Sequence, residues 1–147
     1  MAYATLSSVG YASIPLAEKL GYVPGTTIAF VALPEDLADL PGSVEFGKVA
    51  RRQDWSRPLG PVPFDTIHAF ATSRAELVAG LPRMRRGIQP DGAIWVSWPK
   101  QSSKIPTDLS EDVVRAAAHD LGMIDVKVAA IDHVWSGLKL VIRFEKR

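Results

Sequence analysis

Ile88-Gln89-Pro90-Asp91-Gly92-Ala93-Ile94-Trp95-Val96-Ser97-Trp98-Pro99-Lys100 is the stretch whose reading decides the fold. Pro90-Asp91-Gly92 carries turn chemistry: proline fixes φ and glycine accepts a positive one, so a chain leaving a helix can reverse there into a strand. Residues 93–98 are then a run of bulky apolar residues without polar alternation, which suits a parallel strand covered on both faces. Pro99 has no N–H to give a ladder and ends the strand. In open α/β sheets, ligands bind in the crevice outside the carboxyl ends of the strands. That rule places Ser97, Trp98 and Lys100 at the crevice.

Upstream, residues 65–71 predict another buried strand, followed by Ser73-Arg74-Ala75-Glu76, the pattern of a capping box at a helix start. That helix places Leu77, Val78, Leu81, Met84 and Ile88 on one face, with a kink at Pro82 near Gly80. Farther upstream, residues 26–33 are an uninterrupted apolar run, read as the first parallel strand. Pro34-Glu35-Asp36 opens a brief helix that Pro41-Gly42 stops. Val44-Glu45-Phe46 predicts a short edge strand, and residues 47–62, with scattered arginines and three prolines close by, predict a loop. At the N-terminus, Ser13 caps a short helix closed by Gly21, and residues 1–25 form a helical extension packing on the rest of a single domain of residues 1–147.

Downstream, residues 101–106 predict a polar loop, and either Asp108 or Ser110 caps a helix that ends at Gly122. Residues 123–131 predict a strand, residues 132–137 a turn, and the alternation of Leu138, Leu140, Ile142 and Phe144 with Lys139, Val141 and Arg143 an antiparallel strand near an edge with one wet face. The sum is an α/β fold: a single Rossmann-like three-layer domain, mostly parallel, with a C-terminal antiparallel hairpin.

Composition narrows the chemistry. The chain has 147 residues, 47% hydrophobic and 22% charged, which is ordinary usage for one globular core. No apolar run approaches the roughly 18 residues of a spanning helix, and no export signal is read in residues 1–10, so the expected location is cytoplasmic, away from the membrane. The absence of cysteine excludes disulfides, thiolate metal sites and thiol nucleophiles. A net charge of +1 exerts no global pull on nucleic acid, which is not the expected partner.

The order of elements resembles the fold of S-adenosylmethionine-dependent methyltransferases, and Ile88-Gln89-Pro90-Asp91-Gly92-Ala93-Ile94-Trp95 is similar to the entry into that family's fifth strand. More specifically, the chain resembles a bacterial family of short methyltransferase-like proteins without an assigned activity. It shares with them Thr72-Ser73-Arg74-Ala75-Glu76-Leu77, Ser97-Trp98-Pro99-Lys100, Pro106-Thr107-Asp108-Leu109 and Trp135-Ser136-Gly137-Leu138-Lys139. Working methyltransferases place a glycine-rich turn after the first strand, because only glycine lets backbone and helix start approach the cofactor closely. Leu33-Pro34-Glu35-Asp36 stands there instead. Proline stiffens the turn and two carboxylates would repel an anionic ligand. The resemblance therefore implies the scaffold without its cofactor, and with the third strand lost. Glu45, after the expected second strand, is left as an acceptor for a ribose.

The candidate ligand-binding residues are Glu35, Asp36, Arg74, Ser97, Trp98, Lys100, Thr107 and Asp108. One reading gathers them into a small anion-binding crevice, with Lys100 and Arg74 supplying charge. The other has Trp98 packing, Thr107 and Asp108 capping, and Glu35 and Asp36 neutralising the cations. A small anionic ligand or a protein partner fits the first reading. A divergent transferase acting on an anionic or nucleotide substrate through Lys100, Asp108 and Arg74 is the enzymatic alternative. Asp132, His133 and Ser136 make a catalytic triad in type only, since three residues of one turn rarely align. The three histidines show no metal spacing. Arg51, Arg52, Trp55 and Arg57 suggest a stacking loop for single strands, with Arg83, Arg85 and Arg86 a second basic group, against a plain solvated surface.

Overall fold

The structure, a computed structural model, describes residues 15–147, so the Ser13 cap and the reading of residues 1–10 lie outside the described residues. Six strands form one sheet in the order β2-β1-β3-β4-β6-β5. They are β1 (Thr27–Val31), β2 (Lys48–Arg52), β3 (Phe64–Phe70), β4 (Ile88–Pro99), β5 (Met123–Ala130) and β6 (Trp135–Ile142). The first four run parallel, and β6 lies antiparallel between β4 and β5. This is the expected architecture: α2 (Arg74–Arg86) and α3 (Glu111–His119) cover one face. The other face is covered by α1 (Leu16–Lys19) and two 3-10 turns, Glu35–Leu37 and Leu40–Gly42.

The strands between the layers are buried because both of their faces are covered. Ile28, Phe30, Trp95 and Ile131 belong to the α1 side, while Ile67, Ile94, Val96 and Leu140 pack toward α2 and α3. The Trp95 ring is fully buried, and its indole N–H donates to the Leu20 carbonyl at 2.8 Å, fastening the end of α1 to the middle of the sheet. Ser73 and Ser110 cap α2 and α3, their hydroxyls accepting from the N–H of Glu76 and of Val113 at 3.3 Å each. Asp108 is therefore not the cap of α3.

Several expectations need correction. Residues 48–52, read as loop, are β2: an edge strand pairing Thr27 with Lys48 through Val31 with Arg52. Its basic residues hide it from a hydrophobicity pattern, as is usual for edges that must not recruit other strands. Val44-Glu45-Phe46 is not a strand; it lies before β2, where Gly25 N–H donates to Glu45 O. Pro90-Asp91-Gly92 is an irregularity inside β4: Phe64 pairs with Ile88 but Thr66 with Ala93. Gly92 is needed there because a Cβ would come within 2.8 Å of the Asp65 carbonyl oxygen. Helix α2 includes Pro82, but Val78 is exposed on it and Ile88 belongs to β4, so neither shares its buried face. Phe144 lies beyond β6 in a 3-10 turn and is exposed. β6 is antiparallel and next to the edge strand β5, as expected, and a register shift between Asp125 and Lys127 turns the residues of β5 over, so that Met123 packs on the α3 side and Ala129 on the α1 side.

Candidate functional site

At the carboxyl end of β3, the loop after β4 is latched to the start of α2. Thr107 Oγ1 donates to the Thr72 carbonyl at 2.7 Å and accepts from Leu109 N–H at 3.0 Å. Asp108 Oδ1 accepts from Arg74 N–H at 2.7 Å, so the positive end of the α2 dipole already holds one of the protein's own carboxylates. Any other anion would have to displace it.

Ser97, Trp98 and Lys100 do not open into a crevice. Ser97 is fully buried, and Trp98 is buried in the core on the α2/α3 side. Lys100 Nζ donates to the Asp132 carbonyl at 2.6 Å and its backbone N–H to Val134 O at 2.7 Å, bolting the end of β4 to the β5–β6 turn. Replacing Lys100 with alanine is expected to cost about 1.5–3 kcal/mol of stability, read by urea unfolding, since the bond involves a charged donor. An unchanged midpoint would free Lys100 for a ligand. The Asp132 carboxylate itself accepts from Val134 and Trp135 N–H at 2.8 and 2.7 Å, which makes it a turn former and disposes of the Asp132-His133-Ser136 triad. Glu35 and Asp36 are exposed, and among the described residues neither forms an ion pair with Lys100 or Arg74. The eight candidates thus fall into a latch, a buried pair, a bolt and two exposed carboxylates.

Sequence reading missed a buried polar chain. His68 is wholly enclosed, with Nδ1 2.6 Å from Tyr22 Oη and Nε2 2.8 Å from Ser97 Oγ. Its ring stacks on Phe70, centroids 4.4 Å apart. Burial pushes the His68 pKa down to about 3 and raises that of the Tyr22 hydroxyl, so both are neutral near pH 7. A neutral histidine with both ring nitrogens occupied is a structural tie between the segment after α1, β3 and β4. The only signal in sequence was polar residues at inward strand positions.

The carboxyl ends of β1 and β2 were also misread. Ala32, just past β1, has φ +57° and donates its N–H to Arg52 O at 2.9 Å. A non-glycine residue in that region costs about 1–2 kcal/mol. The crossover to β2 then consists of the two 3-10 turns, and Leu37 and Leu40 from them plug the core on the α1 side. After β2, Trp55 turns inward instead of serving as a stacking platform: it is 4% exposed, and its Nε1 donates to Phe70 O, at the end of β3, at 2.7 Å. Arg52 donates from Nε to Pro58 O at 2.7 Å and from Nη1 to Arg51 O at 2.9 Å, pinning the same loop. A hollow of about 400 Å³ remains there, lined by Ala32, Leu33, Arg51, Arg52 and Gln53. Glu45 lies before β2, at the opposite end of the sheet, so it is no ribose acceptor at this crevice.

The fold is that of the S-adenosylmethionine-dependent methyltransferases. The chain is similar to a ribosomal protein L11 methylase from Lactobacillus delbrueckii subsp. bulgaricus, with a TM-score of 0.64 and 14% identity over 87% of this chain and 77% of that one. It is similar to a SAM-dependent methyltransferase from Aquifex aeolicus, with a TM-score of 0.63 and 15% identity over 86% and 88% of the two chains. A third similar structure is the Burkholderia thailandensis 1,6-didemethyltoxoflavin-N1-methyltransferase with bound 1,6-didemethyltoxoflavin and S-adenosylhomocysteine, at a TM-score of 0.63 and 10% identity over 87% and 75%. No family model and no curated protein matches the sequence. Among the described residues, no helix is long and apolar enough to cross a membrane, and no group of three or more metal-ligating side chains is assembled.

Proposed function

We propose that the chain is a methyltransferase-like domain that does not use S-adenosylmethionine and serves as a binding module at the carboxyl ends of its strands, for a small ligand or a protein partner. One observation carries this reading: the way from β1 to β2. A cofactor seated there needs glycine where the backbone must come close and a helix whose N-terminal N–H groups point at the ligand. This chain has Ala32-Leu33-Pro34 and two 3-10 turns. β2 then ends on Arg52, with Gln53 following, and neither offers the carboxylate that accepts from a ribose.

The transferase alternative through Lys100, Asp108 and Arg74 is less well supported. Lys100 Nζ holds the Asp132 carbonyl and Asp108 Oδ1 the Arg74 backbone N–H, so each already serves to tie the protein's own loops together. Thermal unfolding with S-adenosylmethionine and S-adenosylhomocysteine tests the proposal. Neither should move the melting temperature at concentrations up to about 100 times a micromolar dissociation constant, where a true ligand adds about 2.7 kcal/mol. A clear upward shift with either one rejects the proposal.

A further inference from the structure

We infer that the hollow at the ends of β1 and β2 binds a phosphate-bearing small molecule through the Arg51 guanidinium, an inference that rests on the binding-module reading above. The argument is a charge inventory. The hollow of about 400 Å³ is lined by Ala32, Leu33, Arg51, Arg52 and Gln53, two of them cationic and none of them acidic. Arg52 spends its N–H groups on the neutral carbonyls of Arg51, Pro58 and Leu59, so its charge is fixed in place but not cancelled. Arg51 is exposed, and among the described residues its side chain forms neither an ion pair nor a hydrogen bond. Three carboxylates lie close by along the chain: Asp54 is turned to its own loop, where it accepts from Ser56 N–H and hydroxyl and faces Arg57 at 3.8 Å, Asp36 lines a separate hollow with Leu16 and Leu40, and Glu35 is exposed and not among the residues lining this hollow.

The Pro58-Leu59 segment that Arg52 pins lines a second hollow of about 360 Å³ together with Arg83 and Arg86, again with no carboxylate in its wall. Two like-charged concavities are thus linked through one pinned loop. Such an arrangement raises the local concentration of anions, and a guanidinium offers the fork that phosphate oxygens accept. The position obeys the rule for ligands in α/β sheets, outside the carboxyl ends of parallel strands. It is also where the backbone is strained, at Ala32. A single-stranded nucleic acid is disfavoured because no aromatic side chain lines either hollow and Trp55, the one such residue in the loop, is tied to Phe70 O.

Pyrophosphate is the probe, titrated into the full chain by calorimetry at ionic strength held constant with potassium chloride. The expected result is saturable binding to the wild type, weakened about tenfold or more in Arg51→Gln, with the melting temperature of the ligand-free variant unchanged. Arg143→Gln, far along the chain beside Glu145, should bind as the wild type does. Failure of pyrophosphate to bind, equal binding by Arg51→Gln, or tighter binding of a short single-stranded oligonucleotide would each overturn the inference. S-adenosylhomocysteine in the same assay separates the two claims. Its binding defeats the binding-module reading, whereas silence from both compounds defeats the phosphate inference alone.

Discussion

Replacing Trp55 with alanine lowers the unfolding free energy by about 3–5 kcal/mol, read as a lower urea midpoint with the slope nearly unchanged. Trp55 is 4% exposed, and its removal strips an indole from the core and leaves the Phe70 carbonyl without its donor. Little can collapse into the gap, because the opposing surface is Gly80 of α2, which has no side chain to offer. The fit is so close that a Cβ at position 80 would stand 2.8 Å from Trp55 Cε3. Against a total stability of roughly 5–15 kcal/mol, this is a large fraction. A loss below about 1 kcal/mol would show that the loop of residues 53–63 is not part of the packed core, and the account of a filled crevice would fail with it.

The second large effect is on acid stability, and it belongs to His68. The native pKa of about 3 lies below the ordinary value of 6.5, because burial penalises the imidazolium. Above pH 6.5 both folded and unfolded states hold the ring neutral and His68 costs nothing. As the pH falls below 6.5, the unfolded chain takes a proton that the native state refuses, and stability drops by about 1 kcal/mol per pH unit until the native ring titrates near 3. Two carboxylates held low, Asp125 by Arg115 and Asp54 by Ser56, lose their contributions in the more acid carboxylate range. Glu76 is raised by burial and acts in the opposite sense. Glu76 is common to the wild type and a His68→Asn variant, so the difference between the two proteins from pH 6.5 to about 4.5 isolates the histidine. Urea unfolding at both ends of it should give a steep loss for the wild type and a shallow one for His68→Asn. Parallel slopes in the two proteins would mean that the ring is hydrated or charged in the native state.

The sheet was legible because buried parallel strands announce themselves as apolar runs: residues 26–33, 65–71 and 93–98 overlap β1, β3 and β4, the first overrunning its strand at both ends and the second by one residue. The serine caps of α2 and α3 were legible for the same kind of reason, a local hydrogen bond with a fixed spacing. β2 was not, since an edge strand made of Lys48, Arg51 and Arg52 draws its stability from backbone pairing with β1, which leaves no periodicity in side chains. The candidate site suffered from a different limit. Sequence places Lys100, Asp108 and Arg74 near strand ends and helix starts, but whether a polar group is spent on the protein or free for a ligand depends on long-range partners. Asp132 and Thr72 lie 32 and 35 residues from the groups they accept, Lys100 and Thr107. Trp55 misled for the same reason: a tryptophan among arginines reads as a stacking surface until its N–H is found on a carbonyl 15 residues away.

Calorimetric titration of S-adenosylhomocysteine into the purified protein tests the central claim, that the chain's departure from β1 leaves no seat for the cofactor of this fold. The account predicts no heat beyond dilution. A saturable isotherm with a micromolar dissociation constant would contradict it.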